Sequence, residues 1–115
     1  MNALITDEQR VLLLANGRET LQNPDFDPAP VVKLFTPDAS ATWLLTEIDP
    51  DDHDHAFGLC DLSLGAPELG WVSLQELATV RGRLGLPVER DLHFRAEKRL
   101  SAYARDARLA GRIVV

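Results

Sequence analysis

Five carboxylates and two imidazoles fall within nine residues, Glu47-Ile48-Asp49-Pro50-Asp51-Asp52-His53-Asp54-His55. Crowding of this kind costs free energy through mutual repulsion unless water, salt or a cation relieves it. Asp49, Asp51, Asp52, His53, Asp54 and His55 are therefore the candidate metal ligands. With Glu47 as base they spell a metal-assisted hydrolase. A calcium loop of the EF type would begin at Asp49 with Asp51 at its third position. It would then place Asp54 where glycine is required and Cys60 where a bidentate Glu belongs, so that pattern fails. A zinc site built on His53 and His55 needs partners from elsewhere in the chain. The simpler reading, and the favoured one, is an exposed acidic turn between strands, since Asp-Pro-Asp-Asp is common loop wording.

A second set, Lys33, Glu47, Asp61 and Glu68, lies on or beside otherwise apolar segments. If those segments are neighbouring strands, Lys33, Glu47 and Asp61 converge on one side of a sheet and line a polar pocket. Paired, half-buried charges of this kind often mark clefts. The structural alternative is a cross-strand ion pair worth a fraction of a kcal/mol when exposed. Other groups carry less. Cys60 alternates with Gly58 and Leu62 and reads as an inert core thiol. Ser73 and Ser101 read as helix caps, and no serine has a nucleophile-elbow context. Gly65-Ala66-Pro67-Glu68-Leu69-Gly70 has no phosphate-loop arrangement, and His93 is a lone histidine in an extended segment.

The elements that must position these groups can be read in order. Thr6 caps a helix over 6–16, with Gln9 completing a capping box and Asn16-Gly17 stopping it. Val11, Leu12, Leu14 and Ala15 form its stripe, widened by Leu13. Three prolines within Asn23–Pro30 make an extended connector. The sheet core is 31–73, with strands 31–35, 41–48 and 56–62 and a short strand at Trp71-Val72. Its spacing is too tight for crossover helices, so the sheet is antiparallel. In 41–48, Thr42, Leu44, Thr46 and Ile48 share one face and Trp43, Leu45 and Glu47 the other. Both are apolar enough for a central, covered strand. Ser73 caps a helix over 74–82, Pro87–Phe94 alternates as a strand, and a C-terminal helix spans 101–111. The fold class is α+β: a small antiparallel meander of about four or five strands packed with about three helices as a single layer pair, in one domain over 1–115.

Charge is unevenly spread. Residues 1–94 hold 16 acidic and 6 basic side chains, and residues 95–115 hold 2 and 6. Arg99, Arg105 and Arg108 on the last helix, together with Trp71, are the candidate interaction surface. Net acidity of −6 argues against direct binding of nucleic acid, where phosphate contacts supply most of the affinity. No apolar run approaches the roughly 20 residues of a membrane span. The N-terminus has no basic signal-peptide region, and one cysteine supports no disulfide framework. A cytoplasmic protein with no resident cofactor is expected.

The phrases Val31-Val32-Lys33-Leu34-Phe35-Thr36-Pro37, Trp43-Leu44-Leu45-Thr46-Glu47, Phe57-Gly58-Leu59-Cys60-Asp61-Leu62, Pro67-Glu68-Leu69-Gly70 and Asp91-Leu92-His93-Phe94 together resemble a bacterial domain-of-unknown-function family. The resemblance covers roughly residues 5–112. That family's members are short proteins common on plasmids and integrative or conjugative elements. The resemblance brings no reaction or catalytic residue with it. It implies an accessory protein of mobile DNA, and the expected role is non-catalytic binding of a protein partner. The alternatives are the hydrolase above and an acidic decoy of DNA that defeats restriction.

Overall fold

The computed structural model describes residues 4–115. The elements are α1 (Asp7–Gln22), β1 (Val32–Phe35), β2 (Thr42–Asp49), β3 (Asp52–Asp61), β4 (Glu68–Ser73), α2 (Leu74–Leu77), β5 (Glu89–Arg90) and α3 (Leu100–Ala110). The five strands form one antiparallel sheet in the order β4-β3-β2-β1-β5. The α+β class and the meander are thus present: β1 to β4 follow one another, and β5 returns to the far side of β1.

Strand periodicity supplies two apolar faces, and both are covered. On one, Val32, Leu34, Trp43, Leu45, Ile48 and Ala56 pack with Leu13 of α1 and with Leu74 and Leu77 of α2. On the other, Leu44 and Leu59 pack with Leu100, Tyr103, Ala104 and Ala107 of α3 and with Ile113. The α3 face adds a third layer. Leu34, Leu44, Leu45 and Ile48 are completely buried. Each such side chain contributes about 1.5–3 kcal/mol relative to exposure.

α1 differs most from its sequence expectation. The capping box at Thr6 and Gln9 forms, but Gly17 does not stop the helix. It continues to Gln22, ahead of Pro24. Gly17 serves close approach instead: a Cβ there would lie 2.0 Å from the Ile48 carbonyl oxygen. β1 pairs β2 only up to Leu45, and α1 packs over the stretch of β2 beyond it. Asn16 Nδ2 donates to the Thr46 carbonyl oxygen at 2.9 Å. The buried face of the helix is accordingly Leu13 and Gly17, while Val11 and Leu12 are 64% and 55% exposed.

The faces of β2 also differ. Leu45 pairs with Gly58 and Glu47 with Phe57, leaving Thr46 as a β-bulge. A bulge shifts the alternation by one residue. Glu47 therefore joins Leu44 on the α3 face, and Ile48 joins Leu45 on the α1 face. Further along, α2 is a single turn rather than 74–82. Thr79 Oγ1 donates to the Glu76 carbonyl oxygen, Arg81 donates to those of Ala78 and Val80, and the chain turns into the Arg81–Pro87 bridge. The strand at 87–94 shrinks to Glu89–Arg90, since the Asp91 carboxylate accepts the His93 N–H and bends the chain. Leu92 is left exposed. β4 spans Glu68–Ser73 rather than Trp71-Val72 alone. α3 begins at Leu100, its Ser101 N–H and hydroxyl both donating to Asp27, and Gly111 ends it in the left-handed region at φ 76°. Among the described residues, no helix is long and apolar enough to cross a membrane.

Candidate functional site

The acidic stretch 47–55 is not a loop. Asp49 Oδ1 accepts the Asp51 N–H, closing a tight turn at Pro50-Asp51, and Asp52 to His55 are already strand. The pairing of β2 with β3 disperses the cluster. Glu47 is buried, and Thr20 of α1 donates to its carboxylate at 3.0 Å. Burial pushes the Glu47 carboxyl above the usual carboxylate range, against the Thr20 hydroxyl, and Asp49 pushes it the same way. Asp54 accepts from the Ser73 hydroxyl and, at 2.9 Å, from the Gln75 N–H. These bonds hold its carboxyl below the usual range. Asp54 thus reinforces the Ser73 cap at the start of α2. His53 Nε2 lies 3.1 Å from the Pro50 carbonyl oxygen, and His55 Nδ1 lies 2.6 Å from Asp52 Oδ2. Among the described residues, no three His, Cys, Asp or Glu side chains gather as a set that could hold a metal ion.

The His55–Asp52 pair stands across the sheet from Ser73, an order that invites comparison with a catalytic triad. The chemistry does not follow, because the Ser73 hydroxyl donates to Asp54 and accepts the Glu76 N–H. Its proton is committed to a carboxylate and its lone pair to a helix cap.

Lys33, Glu47 and Asp61 do share the α3 face, but they do not gather. Lys33 pairs with Asp91 at 3.3 Å. Asp61 is buried and accepts the N–H groups of Ile113 and Ser63, both at 2.9 Å. Along β3, the residue level with Glu47 is Phe57, four residues from Asp61, or roughly 13 Å at strand rise. Glu68 lies across from Cys60, on the α1 face. Lys33, Glu47 and Asp61 each have a structural partner of their own, and Glu68 stands on the opposite face, so the four do not line one polar pocket. No local pattern couples Lys33 to Asp91 or Glu47 to Thr20, because each pair lies far apart in sequence.

The surface that the fold leaves open is the β4 edge. β4 is the outermost strand and pairs with β3 alone. Leu69 and Trp71 on it are 46% and 51% exposed, and the Trp71 ring sits 5.2 Å from that of Phe57. On the α2 side, a groove of about 340 Å³ runs along this edge, walled by Trp43, Val72, Leu77 and Val80. His55, Ser73 and Glu76 stand at its polar end. A wider, shallower hollow of about 510 Å³ lies between Asp38 and Arg83. There Asp38 Oδ2 accepts the N–H groups of Leu84 and Leu86, while its Oδ1 is buried with no hydrogen-bond partner. Cys60 lies beside Glu68, and burial followed by that carboxylate raises its thiol to about 11.

Arg105 and Arg108 on α3 and Arg99 just before it are all exposed. Lys98 next to them is tied to Asp106 and lies 4.7 Å over the Tyr103 ring. Residues 34–80 hold nine Asp and Glu and no Lys or Arg, an asymmetry legible in the sequence.

No curated protein and no solved structure matches the chain. A family profile described as "Protein of unknown function (DUF2958)" matches residues 4–114. Nearly the whole described fold lies within that match, and the chain belongs to this family.

Proposed function

We propose that the protein is a non-catalytic binding module whose recognition surface is the β4 edge with Leu69 and Trp71. One observation carries this reading: β4 is an unpaired edge that bears two large, half-exposed apolar side chains. Natural edge strands are usually blunted by lysine, proline or a bulge. β4 contains neither lysine nor proline, and its register with β3 has no shift. An accessory role on mobile DNA, which the family resemblance implies, suits a small protein that acts by docking. Selection of displayed random peptides against the wild type and a Leu69→Ser/Trp71→Ser variant tests the proposal. Enriched peptides should lose at least tenfold in affinity for the variant. Failure to enrich any peptide, or equal binding to both proteins, counts against it.

The span 34–80, with nine Asp and Glu and no Lys or Arg, favours one second reading, an acidic decoy of DNA. Glu47 and Asp61 within it are buried, however, and not displayed. Competition with duplex DNA for a restriction enzyme at low salt tests it, and an absence of competition there ends it.

A further inference from the structure

We infer that the occupant of the β4 edge is an extended basic segment of another protein, added as a further strand, with one apolar side chain seated in a notch at Gly70. The inference rests on the reading of β4 as the recognition surface and specifies what that surface takes.

Backbone geometry supplies the first argument. A strand at the end of a sheet turns alternate N–H and C=O groups outward, ready for another extended chain. Among the described residues, no backbone hydrogen bond outside the β3 ladder engages residues 68–72. The edge is six residues long and flat in register, enough for several ladder bonds.

The notch supplies the second. Gly70 faces Gly58 across the β3–β4 pair, on the same side as the groove. A Cβ built on Gly70 would meet nothing within 4 Å. Gly58 is different: its Cβ would collide with the Leu44 carbonyl oxygen at 1.9 Å, so that glycine serves packing within the sheet. Gly70 serves no such purpose in the isolated chain. Its missing side chain leaves open space between Glu68 and Val72, its neighbours on that face, and Val72 also lines the groove. An apolar side chain from a neighbouring strand fits that space.

Charge supplies the third and chooses among occupants. Glu68 flanks the notch at one end, and Glu76 lines the groove at the other. No Lys or Arg lines the groove, and none occurs from residue 34 to residue 80. A second copy of this chain would bring an equally cation-free edge against this one. Nucleic acid would bring phosphates. A segment with Lys or Arg opposite Glu68 and an apolar residue two positions away, opposite Gly70, satisfies both features on one face of the added strand.

The probe is the capped heptapeptide Thr-Arg-Thr-Val-Thr-Arg-Thr, set against Thr-Glu-Thr-Val-Thr-Glu-Thr and read by amide NMR shifts on the full chain. The arginine peptide should shift the amides of 68–73 and the Trp43 and Trp71 indoles, and bind about tenfold tighter than its glutamate counterpart, less so at high salt. Gly70→Val should abolish the shifts while keeping the folded spectrum, and Glu68→Lys should reverse the preference between peptides. If both peptides shift β4 equally, the charge assignment falls while the edge remains a binding surface. If neither shifts β4, the binding-surface reading falls with it. Concentration-dependent dimerisation that Gly70→Val abolishes would make a second copy the occupant and overturn the inference.

Discussion

Gly17→Ala pits local propensity against tertiary packing, and the structure decides the sign. In an isolated helix the change gains about 1 kcal/mol, because alanine costs less backbone entropy than glycine. In this fold the new methyl would sit 2.0 Å from the Ile48 carbonyl oxygen and 3.2 Å from Pro50 Cδ. Carbon and oxygen in ordinary contact need more than about 3 Å, so α1 must retreat by roughly 1 Å or more. Forced shifts of packed elements cost about 1–3 kcal/mol. The retreat also strains the 2.9 Å bond from Asn16 to the Thr46 carbonyl, and an orphaned buried acceptor costs about 1–3 kcal/mol. The net expectation is a loss of about 2 kcal/mol, or roughly 8 °C in Tm for a domain of this size. Urea unfolding followed by the fluorescence of buried Trp43 measures it. Gly70→Ala is the control: with open space around its Cβ, it should be neutral or slightly stabilising. If Gly17→Ala is as stable as the wild type, the close contact between α1 and β2 is not what this glycine is for.

Three further outcomes follow from the buried groups. Glu47 has a carboxyl raised above its ordinary 4.5 by burial. The folded state therefore favours its protonated form, and that advantage is full below 4.5 and fades as pH rises through the folded value. Glu47→Gln should gain on the wild type in urea midpoint between pH 4 and pH 7, and a gap that stays constant would contradict the assigned cause. Asp61→Ala frees the Ile113 and Ser63 N–H groups and should cost about 1–3 kcal/mol, with faster hydrogen exchange at residues 111–115; unchanged exchange there would show the anchor to be unimportant. Cys60, with its thiol at about 11, should react with a disulfide reagent at pH 8 far more slowly in the native state than in urea, and equal rates would place it at the surface.

Features that nearest neighbours decide can be read along the chain. Thr6 and Gln9 are three residues apart, so their capping box needs no tertiary help. The inward face of α3, with Tyr103, Ala104 and Ala107, follows helical spacing, and Gly111 ends it by its own tolerance of positive φ. The antiparallel meander follows from connections too short for crossovers. The rest depends on groups that meet across dozens of residues and so emerges only once the chain is folded. Gly17 looks like a helix stop until Ile48 is placed against it, and Ser101 looks like its own cap until Asp27 takes that role. The Thr46 bulge moves Glu47 to the other face of β2, a change that no local pattern announces. Lys33, Glu47 and Asp61 therefore share a face and yet part, each drawn to a partner that the chain brings from elsewhere: Asp91, Thr20 and the N–H of Ile113. The open edge at Glu68–Ser73 belongs to the same class, since whether a strand is central or outermost is a property of the sheet and not of the strand.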